Sequence, residues 1–147
     1  MASPTTFSIS ALQTELLTDP ANLGYAPFVS AHDLNSLSDL LNILHNEGGF
    51  LVARAPIQAS TLFNAIDAVD FKTLTVTDLT RLQTVLSLET IDLNVSATFA
   101  KIADIFQLGN TTLNAMTTLR TRPGSRAEVL WGPGKIVHPN EVSEALE

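Results

Sequence analysis

The chain has 147 residues, no cysteine and a formal charge of −7, a length that suits one domain able to bury roughly 70% of its unfolded surface. Hydrophobic residues make up 45% and charged residues 16%, against about 25% charged in an average soluble domain; mean hydropathy is +0.21. The chain is too apolar for disorder, its apolar runs are too short for a membrane span, and it is poor in charge for a free monomer.

Eight Lys and Arg against fifteen Asp and Glu supply no obvious basic face for phosphate neutralisation, which argues against a general nucleic-acid binder and against a polybasic membrane anchor. The start, Met1 to Thr6, lacks the positive and long apolar regions of a secretory signal, so synthesis in a reducing cytoplasm is expected. Without cysteine there is no disulfide framework and no thiolate metal site.

The first helix is predicted over Ile9 to Thr18, with Ser8 as its cap and Phe7 and Leu12 at staple positions. Asp19-Pro20 stops it, because the residue before proline is driven out of the α region. Asn22-Leu23-Gly24 reads as a turn, and Pro27 suits the first turn of a short helix. Asp33 then caps the strongest helical pattern in the chain, in which Leu34, Leu37, Leu40, Leu41 and Leu44 form one apolar stripe ending near Asn46, before Gly48-Gly49. The stripe reads first as core and second as a groove for a partner helix. Phe50 to Ala53, ahead of Pro56, is expected to be extended coil, because a lone strand has no visible partner.

Ile57 to about Val69 is predicted as one helix, with Leu62, Ile66 and Val69 on a face and Phe63 nearby. Thr75 to Asp78 approximates a capping box and opens a helix carrying Leu79, Leu82, Val85, Leu86 and Leu88. Asn94 or Ser96 opens the next, with Phe99, Ile102, Ala103, Ile105 and Phe106 inward and Gly109 at its end. Thr111 or Thr112 begins a helix through Leu113, Met116 and Leu119. Thr121-Arg122-Pro123-Gly124 breaks the pattern. Ser125 and Glu128 then form a capping box before Val129, Leu130 and Trp131, and Gly132-Pro133-Gly134 ends that turn. Lys135-Ile136-Val137 is extended, and His138 or Asn140 caps a last short helix to Leu146. The expected architecture is therefore mainly all-α. It is a single domain over residues 1–147, an irregular orthogonal bundle of about seven short helices with short extended linkers, in which 121–147 is a C-terminal capping segment.

Chemistry-bearing residues are sparse. His32, His45 and His138 are too scattered for a metal site and read as surface or capping residues. Asp67 and Asp70, three apart, read as a solvated helix end rather than an acid–base pair. No nucleophile elbow, Walker loop, dinucleotide fingerprint or calcium loop occurs, and Ser125 reads as a cap. No catalytic, cofactor-binding or metal residue is expected. Asn94-Val95-Ser96 and Asn110-Thr111-Thr112 match the glycosylation pattern but read more simply as helix starts. The candidate interface is Arg120, Arg122 and Arg126 with Trp131, since Arg and Trp combine contact area with directed hydrogen bonds. The competing reading is intramolecular: the arginines pair with the chain's own carboxylates, and Trp131 closes the core.

Several stretches carry a resemblance. They are Thr18-Asp19-Pro20, Leu23-Gly24-Tyr25-Ala26, Asp33 with Leu40-Leu41-Asn42, Ala103-Asp104-Ile105-Phe106 and, most specifically, Arg122 to Gly132. In these the chain resembles a group of small virion-associated proteins of tailed bacteriophages and prophages; over Phe50 to Leu93 it matches only as a helical pattern. The resemblance implies a non-enzymatic virion structural or adaptor protein at the tail, baseplate or tail-fibre region. Such a protein is made in the host cytoplasm and works in several copies through contacts with other phage structural proteins, as a homo-oligomer or a symmetric hetero-assembly. It implies neither membrane nor sequence-specific nucleic-acid binding. A head–tail connector or capsid decoration protein is the nearest competitor, and a soluble assembly chaperone or regulatory module absent from the particle is the alternative from another class.

Overall fold

The computed structural model describes residues 4–46, 48–107 and 111–147. Among them the chain is mainly helical, with ten α-helices and five short strands. The opening third holds α1 (Ile9–Thr18), α2 (Ala26–Ala31), α3 (Leu34–Asn42), β1 (Leu44–His45), a 3₁₀ turn (Gly48–Phe50) and β2 (Leu51–Ala53). The middle holds β3 (Ile57–Gln58), α4 (Ala59–Ala65), α5 (Ala68–Lys72), α6 (Val76–Leu86), β4 (Thr90–Ile91), α7 (Ser96–Phe106) and α8 (Thr111–Leu119). The chain closes with β5 (Thr121–Ser125), α9 (Arg126–Trp131) and α10 (Pro139–Ala145).

Two compact units fill the span expected for one domain. Unit 1 is discontinuous, Met1–Val52 with Pro123–Glu147, and unit 2 is Ala53–Arg122. Each has its own apolar core. In unit 1, Leu12 and Leu16 of α1, Tyr25, Leu37 and Leu41 of α3, Ala127 of α9, Val137, and Val142 and Ala145 of α10 are buried together. The final segment thus supplies core residues of unit 1. In unit 2 the core is Ile57, Leu62, Leu82, Ile91, Leu93, Ile102, Ile105, Phe106, Leu113 and Met116. Burying one such aliphatic side chain stabilises by about 1.5–3 kcal/mol, which short helices need, because helices below ~12–15 residues are marginal alone.

Several expectations are corrected. The fold is not purely α: β5 lies between β1 and β2, and β3 pairs with β4. Leu44 and His45 of β1 stand antiparallel to Ser125 and Gly124 of β5. The run at Leu51–Ala53 is therefore a strand, whose partner lies some seventy residues downstream. The leucine-rich helix ends at Asn42 rather than near Asn46, since Ile43 turns extended and Leu44 enters β1 with its side chain 62% exposed. The single helix expected over 57–69 is a strand and two helices. Ile66 is extended, and the Asp67 carboxylate restarts the helix by accepting from the N–H groups of Val69 and Asp70 at 3.0 and 3.3 Å. Such breaks bring the helices among the described residues to ten rather than about seven.

Local signals did place other boundaries. Ser8 accepts from the Ala11 N–H at 3.0 Å and Thr75 from the Asp78 N–H at 3.1 Å. Asp19 takes the left-handed conformation, φ 43°. Its carboxylate gathers the N–H groups of Leu23, Gly24 and Tyr25 at 2.7, 2.8 and 3.3 Å. Asn94 is no cap. Val95 takes that place, and the Asn94 amide donates to the carbonyls of Arg54 and Arg120 at 3.2 and 2.9 Å. Gly109 and Asn110 lie outside the described residues.

Candidate functional site

The segment from Arg120 to Trp131 begins in unit 2 and ends in unit 1. Ser125 and Glu128 start α9 as a reciprocal box: Ser125 Oγ accepts from the Glu128 N–H at 3.1 Å, and Glu128 Oε1 accepts from the Ser125 N–H at 3.2 Å. Glu128 Oε2 also accepts from the Gly134 N–H at 2.7 Å, tying the far loop to the same carboxylate.

That start aims Arg126, the first residue of α9, at α1. Its Nε and Nη2 donate to Glu15 Oε1 and Oε2 at 2.7 and 3.1 Å, and the Tyr25 hydroxyl donates to Glu15 Oε1 at 3.1 Å. The guanidinium fork matches the carboxylate in two parallel bonds, the stronger form of ion pair. Glu15 is 5% exposed and Tyr25 fully buried, so water screens these contacts weakly. The Glu15 bond holds the Arg126 guanidinium above its usual value. The Tyr25 phenol is pushed well above the ordinary phenol range, by burial first and by the Glu15 charge second.

Trp131 meets Phe7 edge to face at 5.0 Å between centroids, and Lys135 Nζ stands 3.6 Å from the Phe7 centroid. Lys135 also pairs with Glu141 at 3.3 Å. In unit 2, the Arg120 guanidinium lies 4.4 Å from the Phe99 ring centroid, and Arg122 is half-buried. Each candidate has its own surroundings within its unit. Arg126 and Trp131 close the core of unit 1, Arg120 covers an aromatic ring in unit 2, and the boundary between units falls after Arg122.

The other candidates are dispersed. His32 ends α2 in the left-handed region, φ 54°; His45 stacks on Phe50 at 4.2 Å; His138 precedes α10 and donates its N–H to Glu141 at 3.0 Å. Among the described residues no three His, Asp or Glu side chains gather as a metal set would. Asp67 and Asp70 serve backbone starts. Asp70 Oδ2 accepts from the Thr112 N–H and hydroxyl at 2.9 and 2.6 Å, and Thr112 Oγ1 accepts from the Asp67 N–H at 3.0 Å. The leucine stripe is core at Leu37 and Leu41, both fully buried.

Sequence reasoning missed two polar locks. Ser38 donates to the Val137 carbonyl at 2.7 Å, and the Asn42 amide bridges the Val137 carbonyl and N–H at 2.8 and 2.9 Å. These pin the extended segment onto α3. The only hint was two polar residues beside a leucine stripe. A groove of about 160 Å³ in unit 2 has Asp70, Thr75, Asp78 and Phe106 in its wall. It is smaller than the ~300–1,000 Å³ of ordinary ligand pockets, and Asp78 already holds Arg81 at 3.1 Å.

A scan against protein-family models, a search of curated proteins and a search of solved structures each return no match to this chain. Among the described residues no helix is long and apolar enough to cross a membrane.

Proposed function

We propose that the chain is a non-enzymatic structural or adaptor subunit of a tailed-bacteriophage virion. Its place is the tail, baseplate or tail-fibre region, where it acts in several symmetric copies through contacts with neighbouring subunits. The observation that carries the many-contact reading is a charge-poor surface holding large apolar side chains: Leu17, Leu44, Val69 and Val76 are 62%, 62%, 67% and 84% exposed. Single exposed hydrophobics are ordinary. With so few charges around them, they suit a surface that assembly covers. The virion part of the reading is supported by the resemblance over Arg122 to Gly132.

The geometry shifts which residues are assigned the contacts. Arg126 and Trp131 make their directed contacts inside unit 1, so the subunit interfaces are assigned to the exposed apolar side chains instead. Mass spectrometry of purified, salt-washed particles tests the proposal. The protein is expected among the particle subunits; its absence from them overturns the reading in favour of a transient assembly factor. Ring symmetry in a particle reconstruction separates the sites, a trimer fitting a fibre or baseplate and a twelvefold ring fitting a connector.

A further inference from the structure

We propose that unit 2 is an insert tied shut at its neck by Asn94, and that it opens and closes as a cooperative body of its own, whatever place the chain takes in a particle. The chain enters unit 2 at Ala53 and leaves it at Arg122. These ends are far apart in sequence, and holding them together costs loop-closure entropy. Bonds within unit 2 offset that cost. The Arg54 N–H donates to the Arg120 carbonyl at 3.0 Å. The Asn94 amide donates to the same carbonyl at 2.9 Å and to the Arg54 carbonyl at 3.2 Å. One side chain thus joins the entry, the exit and the loop before α7.

Asn94 is itself held in place. Its N–H donates to Asp92 Oδ1 at 2.9 Å, an Asx turn. Ile91 and Leu93 are 1% and 3% exposed and belong to the core of unit 2, so the core anchors the turn that carries the amide. An Asn amide suits the place, because two carbonyl acceptors call for two donors and its one nitrogen carries both. Other long-range bonds also close within unit 2: Thr112 joins Asp67 and Asp70, and Arg81 joins Asp104 at 2.6 Å. Unit 2 contains six acidic and six basic residues and is neutral, whereas unit 1 contains nine acidic and two basic residues and so carries all of the −7. A core of its own, joined ends and balanced charge are what a separately cooperative body needs.

Amide hydrogen exchange on the full chain, read by NMR at Leu82 and Ile102 in unit 2 and at Leu41 and Val137 in unit 1, tests this. Asn94→Ala is expected to speed exchange in unit 2 about tenfold or more and to leave unit 1 unchanged. Asn94→Asp sets an acceptor against the two carbonyls and is expected to speed unit 2 further. Should that variant unfold unit 2 outright, protection kept in unit 1 upholds the inference and protection lost there overturns it. Equal acceleration in both units also overturns it, because the chain then opens as one body. Unit 2 exchange that either variant leaves unchanged does the same, since the neck then closes without the amide.

Discussion

Glu15 and Arg126 lie 111 positions apart and form the most enclosed ion pair described here, with side-chain exposures of 4% and 14%. Such a pair is weak evidence for net stability, but removing one partner strands the other. Arg126→Ala is therefore expected to destabilise unit 1 by about 3–5 kcal/mol, read as a lower urea midpoint; Arg126→Lys keeps the charge, loses the fork and falls between. Tyr25 adds a pH dependence. Its folded pKa is raised, so the protonated phenol stabilises the fold; that contribution is complete below pH about 10 and is lost as pH rises through the folded value. Tyr25→Phe is expected to cost about 1 kcal/mol at neutral pH and to flatten the loss of stability in strong alkali, in unfolding curves at both pH values. Nothing local marks this triad, whereas the Ser125–Glu128 box was legible because its partners are three residues apart.

At the scale of elements, helix starts were readable and helix ends less so. Ser8, Asp33 and Thr75 cap where their side chains predict, since a cap bonds its own first turn. The ends depended on distant partners: α3 stops where β1 finds β5. Within β5, Gly124 is required by approach rather than by backbone angle. A Cβ there would stand 2.7 Å from Val52 Cγ1 and 2.9 Å from the Phe50 carbonyl oxygen, and that oxygen belongs to backbone that cannot swing aside. Gly124→Ala is expected to cost about 1–3 kcal/mol, measured as a lower thermal midpoint with helical circular dichroism retained. The Thr121–Gly124 stretch reads as a breaker in sequence because Pro and Gly end helices; only a facing strand makes it β.

At the scale of the molecule, the charge deficit noted in the sequence divides unevenly. Acidic unit 1 carries self-repulsion that neutral unit 2 does not. Raising ionic strength shortens the Debye length from ~30 Å at 0.01 M to ~8 Å at 0.15 M. Amide exchange at Leu41 and Val137 in unit 1 is therefore expected to slow with added salt, while Leu82 and Ile102 in unit 2 change little. Equal responses in both units would refute the partition as a stability effect.

The sequence by itself determined the helical class, the caps and the apolar stripes, because these rest on 3.6-residue periodicity and on hydrogen bonds within one turn. It also singled out the Arg-Trp segment, in which Arg126 turned out to pair with Glu15 inside unit 1. Tertiary structure alone decided where Arg126 points, that Leu51–Ala53 is a strand, and that two cores form instead of one. The first two of those outcomes depend on partners tens of residues away, and the identity of such a partner is set by packing rather than by local pattern.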